Sequence, residues 1–509
     1  MLAQVNAAAL YGINGTPIKV EVDVANGLPQ FNLVGLPDAA VREARERVRA
    51  AIKNSGFEFP SQRITVNLAP ADLPKEGPAF DLALAVGILA ASEIAPLTDW
   101  PKTVFLGELS LDGSLRSIPG ILPLISCLQR EGFGPFFVPI GNAAEAGWIQ
   151  GTEVYALDNL TQVVEVLQGT REPVPVPDKT FTPSRGTTCL DFAQVRGQEH
   201  AKRALEIAAA GGHNVYLVGP PGSGKTMLAR CMPGILPSLT FAESLELSQI
   251  YSAAGLLDDS RPWITERPFR APHHSISVAG LVGGGRLPKP GELTLAHLGV
   301  LFLDEFPEFP RSILEALRQP LEDGFLTIAR AQASFTFPTR PLLITASNPC
   351  PCGFFGDSIK ECICTPYAIA RYRSRVSGPL LDRLDLHVEV PRISYADLTG
   401  KSDLGESSAT IRQRVEAARA IQHQRFAGTS TRSNAEMTPA QLQRFCRLGK
   451  EAQALVQTAY TRLGLSARAH SRILKVARTI ADLAGHEQIQ AEHIAEALQY
   501  RALDRELVS

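Results

Sequence analysis

Two short stretches of the chain carry residue types whose spacing suits the handling of nucleotide phosphates. The first is Gly219-Pro220-Pro221-Gly222-Ser223-Gly224-Lys225-Thr226, which matches the pattern G-x-x-x-x-G-K-[ST]. In such a glycine-rich turn, successive backbone N–H groups point at phosphate oxygens, and the lysine reaches the β- and γ-phosphates. The hydroxyl of Thr226 can then bind Mg²⁺. This stretch therefore predicts a site for ATP and its magnesium ion.

The second stretch is an apolar run, residues 300–303, that ends in two adjacent carboxylates. We expect Asp304 to hold the shell of the Mg²⁺ ion and Glu305 to orient and polarise the attacking water. The two stretches in this order predict an ATPase.

The surrounding pattern predicts the elements that position these residues. An apolar strand is expected over 214–218, directly before the glycine-rich turn, and a helix begins after it. Another apolar strand over 342–347 ends at Asn348, whose amide can hydrogen-bond the γ-phosphate or the water. Arg383 stands in a charged turn before a strand over 386–390, where it can reach a neighbouring subunit's γ-phosphate. Arg468 opens a helix and could bring a second cation; a surface salt bridge is the alternative for each arginine.

The chain divides by pattern into an α/β region, a proline-rich linker, a nucleotide-binding core and a helical block. Strand and helix signals alternate before the linker and again around the two motifs, as in parallel sheets with crossover helices. From about residue 407 the apolar spacing is wholly helical. We predict an α/β fold class with an all-α C-terminal lid. The predicted boundaries are 1–168, the linker 169–188, the core 189–395 with a cysteine-rich loop at 350–364, and the lid 396–509.

Bulk composition narrows the class of protein. The 509 residues carry a formal net charge of −2, so nucleic-acid binding would need local basic patches and not a global field. No apolar run reaches the length of a membrane helix, and the N-terminus has no signal-peptide pattern. Four of the eight cysteines are scattered and four cluster, which indicates reduced thiols and a cytoplasmic location.

The core resembles the AAA+ ATPases of the Mg-chelatase/MCM branch. The resemblance implies that Asn348 is sensor 1, Arg383 the arginine finger and Arg468 sensor 2, although Arg472 lies one helical turn from Arg468. It also implies a ring of identical subunits, with six the expected number.

Two segments are similar to the insertions of that branch. One runs from Gly283 to Glu305, and the other is a hairpin-like alternation over 325–337. In a ring both would face the central pore, where Arg286, Lys289 and Arg330 would contact DNA phosphates with little sequence preference. Taken singly, each of these cations could equally be solvated surface charge.

The N-terminal block is similar to the catalytic domain of Lon proteases. The similarity lies in residues 73–81 and 107–120. Lon-type chemistry needs a serine nucleophile and a lysine base. The chain has Ala79 and Leu122 where these would fall, so we expect no peptidase activity. Lys75 occupies a different position of the motif. The domain is expected to serve assembly or DNA contact.

Four thiols lie within one loop directly after Asn348. They form two C-x-C pairs separated by nine residues, Cys350 and Cys352, then Cys362 and Cys364. Four thiolates suit a tetrahedral Zn²⁺, but the usual spacing is C-x-x-C. A structural zinc site and a loop of reduced thiols both remain open. His213, His273 and His274 are interpreted as ordinary polar residues.

Over essentially its whole length the sequence resembles the ComM/YifB family, in which a Lon-like domain precedes a Mg-chelatase-type core and lid. The resemblance implies an ATP-driven helicase or branch-migration activity on single-stranded or branched DNA during natural transformation, with recombination proteins as further partners. Two alternatives stay open. A chelatase motor subunit is disfavoured by the Lon-like domain, and a protein remodeller by basic, glycine-rich loop tips.

Overall fold

The computed structural model describes residues 1–75, 77–183, 190–258, 260–285, 288–329, 334–357, 359–393, 405–463 and 465–501. An N-terminal α/β unit precedes a second, parallel sheet that carries the two phosphate motifs, and five α-helices follow within residues 405–463 and 465–501. This arrangement confirms the predicted α/β fold class with a helical C-terminal part. Among the described helices, none combines the length and apolarity that crossing a bilayer requires.

The N-terminal unit is built on a seven-stranded mixed sheet in the order β3-β4-β2-β1-β5-β8-β9. Its strands and those of a small ribbon (β6, β7) are β1 (Leu2–Tyr11), β2 (Asn14–Ala25), β3 (Gln30–Val34), β4 (Arg63–Ala69), β5 (Val104–Phe105), β6 (Glu108–Leu109), β7 (Leu115–Arg116), β8 (Phe136–Pro139) and β9 (Val154–Leu157). Its helices are α1 (Ala39–Asn54), α2 (Asp81–Ala91), α3 (Ile121–Arg130), α4 (Ala143–Ala146) and α5 (Leu160–Leu167).

Both faces of this sheet are buried, as the alternation along β1 shows. Val5, Ala7 and Ala9 belong to the apolar cluster formed with α1, α2 and α5. Ala8 points to the opposite face and joins the cluster formed with α3. Ala79 packs against that second cluster, to which the fully buried Leu122 belongs. The two positions that a Lon-type enzyme would use for chemistry therefore border one apolar cluster.

The core sheet has five parallel strands in the order β11-β14-β17-β10-β18. The strands of this region are β10 (Val215–Val218), β11 (Phe269–Arg270), β12 (Gly283–Gly284), β13 (Lys289–Pro290), β14 (Val300–Leu303), β15 (Phe325–Ala329), β16 (Ser334–Pro338), β17 (Leu342–Ser347) and β18 (Leu386–Glu389). The helices are α6 (Glu199–Gly211), α7 (Lys225–Cys231), α8 (Phe241–Ala254), α9 (Val278–Val282), α10 (Glu292–Leu295), α11 (Arg311–Ala316), α12 (Arg318–Asp323), α13 (Pro366–Arg373) and α14 (Gly378–Leu381).

The C-terminal helices pack on α6 and share its apolar core. They are α15 (Ser408–Arg425), α16 (Pro439–Phe445), α17 (Lys450–Leu463), α18 (Ala467–Leu483) and α19 (Ala491–Gln499). Side-chain caps fix two of their starts, since Ser407 accepts from the N–H of Thr410 and Ser466 from that of Ala469. One apolar cluster runs from Phe192 in the core to Tyr500 after α19.

The N-terminal unit contacts the core through α3, α4 and α8. The N–H of Gly120 donates to the carbonyl of Ser252 at 3.0 Å, and the Ser252 hydroxyl donates to the half-buried Glu145. Trp148 stacks on Trp263 with ring centroids 4.8 Å apart. The proline-rich segment runs along the edge of the N-terminal sheet, where the N–H of Val176 donates to the carbonyl of Val154.

Candidate nucleotide site and basic hairpins

Parallel register places the two phosphate motifs and Asn348 at one edge of the core sheet. Val218 pairs with Ser347 and Leu303 with Thr345, so the residues that follow these strands emerge side by side. This is the carboxyl edge of a parallel sheet, where such folds bind ligands.

Lys225 lies in the glycine-rich loop with its ammonium group held by three oxygens. Its Nζ donates to the carbonyls of Gly219 (2.6 Å) and Pro220 (2.9 Å) and to Oδ1 of Asn348 (3.4 Å). Burial lowers the pKa of Lys225 to about 8, although the nearby Asp304 opposes the shift. The loop can curl around the lysine because Gly222 and Gly224 adopt φ of 78° and 91°. In this chain Lys225 is thus pre-positioned beside Asn348.

Thr226 and Asp304 meet directly. The Thr226 hydroxyl donates to Oδ2 of Asp304 at 2.8 Å. Hydroxyl and carboxylate oxygens are the hard ligands that Mg²⁺ prefers, so this pair fits the ion that the sequence predicts.

Glu305 turns away from Asp304 toward a histidine. It has a left-handed backbone, φ 52°, which is uncommon for a residue with a Cβ. Its Oε2 lies 3.1 Å from Nδ1 of His274, and its side chain is 55% exposed. The cleft around both carboxylates is lined by Thr226, Arg230, Ala271, Pro272, His273, His274, Phe302, Asp304 and Glu305. From the sequence His274 is interpreted as an ordinary polar residue and Arg230 is not singled out, since nothing local to either residue marks it as part of this cleft.

Arg383 is placed apart from the phosphate loop. Its guanidinium makes an ion pair with Oε1 of Glu322 at 2.5 Å and donates to the carbonyl of Pro379 at 2.6 Å. Its side chain is 9% exposed, and within the described part of the chain it has no hydrogen bond or ion pair with residues 219–226.

The two arginines of α18 differ sharply. Arg468 is exposed in the first turn, whereas Arg472 makes an ion pair with the buried Asp385. Burial alone would raise the pKa of Asp385, but Arg472 and a hydrogen bond from His213 outweigh it and hold this pKa well below its usual range. His213 also bonds Thr479 of α18 at 2.8 Å. The contacts of Arg472 and His213 therefore join the C-terminal helices to the core. Because Arg472 is engaged in this contact, Arg468 is the solvent-exposed candidate for sensor 2.

The two predicted insertions form neighbouring hairpins. Strands β12 and β13 pair antiparallel, as do β15 and β16. A methyl group on Gly283 would lie 3.4 Å from Cδ1 of Ile328, so the base of the first hairpin touches the second hairpin near its turn. Lys289 is exposed on β13. Arg286 and Arg330 lie outside the described residues.

The second hairpin also contacts the N-terminal unit. A methyl group on Gly12, in the turn between β1 and β2, would lie 3.3 Å from Cζ of Phe337 and 3.5 Å from Cδ1 of Phe335. Both phenylalanines are buried. A shift of this hairpin would therefore press on the N-terminal sheet.

The four clustered cysteines converge. Cys350, Cys352, Cys362 and Cys364 have sulfurs that all lie within 4.8 Å of one another. None of the seven cysteines in the described part of the chain forms a disulfide. The loop, whose C-x-C spacing is tighter than the usual C-x-x-C, therefore brings all four sulfurs together.

Protein families and individual known proteins match this chain along its whole length. Family profiles match at residues 20–142 (Subunit ChlI of Mg-chelatase), 191–398 (Magnesium chelatase, subunit ChlI) and 405–501 (Magnesium chelatase, subunit ChlI C-terminal). Competence protein ComM of Haemophilus influenzae is 46% identical over 508 residues, covering 99% of this chain and 98% of the relative. A protein named YifB from Salmonella typhimurium is 45% identical, covering 100% and 98%. Lon protease 2 of Bacillus subtilis is 26% identical over 179 residues, 32% of each chain.

Proposed function

Because the chain belongs to the ComM/YifB family of Mg-chelatase-related AAA+ proteins, we propose that it is a ring-forming, ATP-driven DNA motor. Its proposed activity is helicase or branch migration that promotes integration of single-stranded DNA during natural transformation or recombination. Two findings support this proposal. Membership of the family favours an ATP-driven motor, and one full-length relative is named a competence protein.

The proposed hydrolysis uses the residues at the sheet edge. Lys225 moves from its carbonyl partners to the β- and γ-phosphates, and Asn348, released from Lys225, hydrogen-bonds the γ-phosphate or the attacking water. Thr226 and Asp304 would hold Mg²⁺, which supplies charge neutralisation on the phosphates. Glu305 accepts a hydrogen bond from water and orients it. To do so its carboxylate must leave His274, a short swing for a half-exposed side chain.

In our proposal Arg383 acts on the nucleotide of the neighbouring subunit. Within one chain it is paired with Glu322 and not with the phosphate loop. An arginine supplied across a subunit interface stabilises charge that develops on the transferred phosphoryl group. The proposal therefore includes a homo-oligomeric ring, taken to be a hexamer, in which Arg383 exchanges Glu322 for the neighbour's phosphate. Arg468 would then read phosphate release from the lid.

The observation that carries the choice of DNA as the substrate is the pair of touching hairpins. They come from separate segments of the core and meet at Gly283 and Ile328, and Lys289 is exposed on β13. In the sequence, Arg286 and Arg330 fall between the paired strands, outside the described residues. Cations on paired hairpins suit a phosphate backbone, which binds through charge without a required sequence. A polypeptide client would instead favour aromatic side chains at such tips.

The remaining parts of the proposal concern domains and place. We assign 1–168 to a Lon-like platform, 169–188 to a linker, 189–395 to the motor and 396–509 to the lid. The platform would support assembly or DNA contact, since it touches the second hairpin through Gly12. The reduced thiols of the described cysteines suit a cytoplasmic protein.

The test is ATP-dependent branch migration on a synthetic three-stranded DNA junction by purified full-length protein. The expected result is strand movement by the wild type and none by Glu305→Gln, which should still bind ATP and assemble. Glu308→Gln is the matched control, because Glu308 lies one helical turn beyond the site and pairs with Arg375. It should move strands at the wild-type rate.

Two outcomes would contradict the proposal. If wild type hydrolyses ATP with no stimulation by DNA and moves no strands, the motor acts on another substrate, and a protein client becomes the next candidate. If Glu305→Gln turns over ATP normally, the assignment of the hydrolytic carboxylate is wrong.

A further inference from the structure

The four clustered sulfurs have the dimensions of a cage for one metal ion. The Sγ atoms of Cys350 and Cys352 are 3.3 Å apart, and that of Cys362 lies 3.7 and 3.6 Å from them. A tetrahedral Zn²⁺ with sulfurs at about 2.3 Å has S–S edges of about 3.8 Å. A disulfide would need about 2.05 Å. The separations therefore match one tetrathiolate ion and leave no room for a multi-iron cluster between the sulfurs.

Backbone donors around the sulfurs suit the thiolate form that a metal requires. The N–H of Phe355 donates to Sγ of Cys350 at 3.3 Å. The N–H groups of Phe354 and Ile363 point at Cys352. Such outer donors stabilise negative charge on sulfur and orient the ligands of metal sites. The loop thus provides a second feature of a metal site besides the sulfurs themselves.

Apolar burial does not account for the fold of this loop. Three of its four large apolar side chains are exposed, Phe355 at 43%, Ile359 at 77% and Ile363 at 87%, and the fourth, Phe354, is half-buried. A segment that buries so little usually needs a metal or a disulfide to hold one conformation. Because these four cysteines form no disulfide, a bound metal ion is the remaining way to hold the loop in one conformation.

The loop rests directly on the nucleotide site. A methyl group on Gly353 would lie 2.6 Å from Cδ of Pro221 and 3.8 Å from Cγ of Asn348. Farther along, Asp357 makes an ion pair with Arg392 at 2.6 Å. The loop is therefore held at two points, at Pro221 of the phosphate-binding turn and at Arg392 after β18.

We propose that Cys350, Cys352, Cys362 and Cys364 hold one structural Zn²⁺, and that the metal-bound loop braces the phosphate-binding turn through Gly353 and Pro221. Zinc and ATP then bind with positive coupling. The coupling rests on the proposed nucleotide site, whereas the metal site does not.

Metal content tests the first half. Full-length protein purified without chelator should contain about one zinc per chain by mass spectrometry of the metal, as a closed four-ligand site requires. Cys364→Ser should lose most of it. Cys127→Ser is the matched control, since Cys127 is a partly buried thiol in α3, away from the cluster, and should keep the wild-type zinc content. Wild-type protein without zinc, or Cys364→Ser with full zinc, would overturn the metal site.

Reciprocity tests the second half on wild-type protein, so it does not depend on whether a cysteine variant folds. A coloured chelator of known affinity is titrated against the zinc-loaded protein with and without a non-hydrolysable ATP analogue. The analogue should tighten zinc about fivefold to tenfold, and removal of zinc should weaken the analogue by the same factor. Lys225→Ala should retain zinc and lose the effect of the analogue.

The outcomes separate the proposals. Zinc that is bound but indifferent to the nucleotide would overturn the brace and leave the metal site. A zinc-loaded protein that binds no ATP analogue would instead contradict the proposed nucleotide site.

Discussion

The buried ammonium of Lys225 predicts that ATP affinity falls as pH rises through about 8. In the nucleotide-free chain, burial among Gly219, Pro220 and Asn348 holds the pKa of Lys225 at about 8. Only the protonated lysine should bind the phosphates, so the apparent affinity scales with the protonated fraction. Bound phosphate adds negative charge and raises the pKa of the lysine, which means that binding above pH 8 takes up a proton.

The size of the effect follows from that pKa. The protonated fraction falls from about 91% at pH 7 to about 9% at pH 9, so affinity should drop about tenfold. At about pH 8.5, binding should take up about 0.8 proton. Titration of the phosphate groups does not contribute between pH 7 and 9, since their second pKa lies near 6.

Two assays measure the effect independently. Fluorescence titration with a labelled ATP analogue and constant Mg²⁺ gives the affinity between pH 7 and 9. Calorimetry in two buffers of different ionisation enthalpy gives the proton uptake. Lys225→Arg is the control, because a guanidinium stays charged over this range and its binding should not depend on pH. A flat wild-type profile without proton uptake, or an equal slope in Lys225→Arg, would refute the reasoning.

Three further predictions follow from other contacts. Arg383→Ala should lower turnover by the assembled protein about a thousandfold yet leave ATP binding by single chains intact, and lost binding would indicate a structural arginine. Asp385→Asn should cost about 3 kcal/mol in urea unfolding, the lower end for a buried pair because Arg472 keeps some solvent contact. Since the folded pKa of Asp385 is depressed, this advantage of the wild type should shrink progressively as pH falls below about 4 and disappear only as pH falls through the folded pKa, and a difference that does not shrink below about pH 4 would contradict the account. His274→Ala should raise DNA-free ATP turnover about threefold by releasing Glu305 from a half-exposed contact, and an unchanged rate would show that the contact restrains nothing.

The parts of the site that sequence could predict are those written in contiguous residues at strand ends. The turn at 219–226, the pair Asp304 and Glu305, and Asn348 each follow an apolar run, and parallel pairing brings such ends together without further information. The strand at 342–347 and the hairpin at 325–338 were likewise visible in their alternation. The local sequence pattern was enough for these elements, because the end of each apolar strand also fixes where the residues that follow it lie in the sheet.

Contacts between distant segments could not be predicted in this way. His274 reaches Glu305 from the segment after β11, and no spacing rule connects the two. Arg383 pairs with Glu322 on α12, and Arg472 pairs with Asp385. In both cases the sequence does not show in which direction the turns between the partners lead the chain. For the cysteines the obstacle was different. Their spacing was visible, but only the fold of the loop decides whether four sulfurs meet.

The apolar setting of Leu122 bears on peptidase chemistry in this domain. A Lon-type protease needs a lysine base at the position of the fully buried Leu122 and a serine at the position of Ala79, which packs against the same apolar cluster. Restoring the lysine alone would bury an ammonium among aliphatic side chains, and restoring the serine alone would give a nucleophile without a base. The lysine alone would therefore destabilise the domain, and the serine alone would give no peptidase activity. Peptidase chemistry at this place would therefore require both substitutions together with new polar partners for the lysine in the cluster around Leu122.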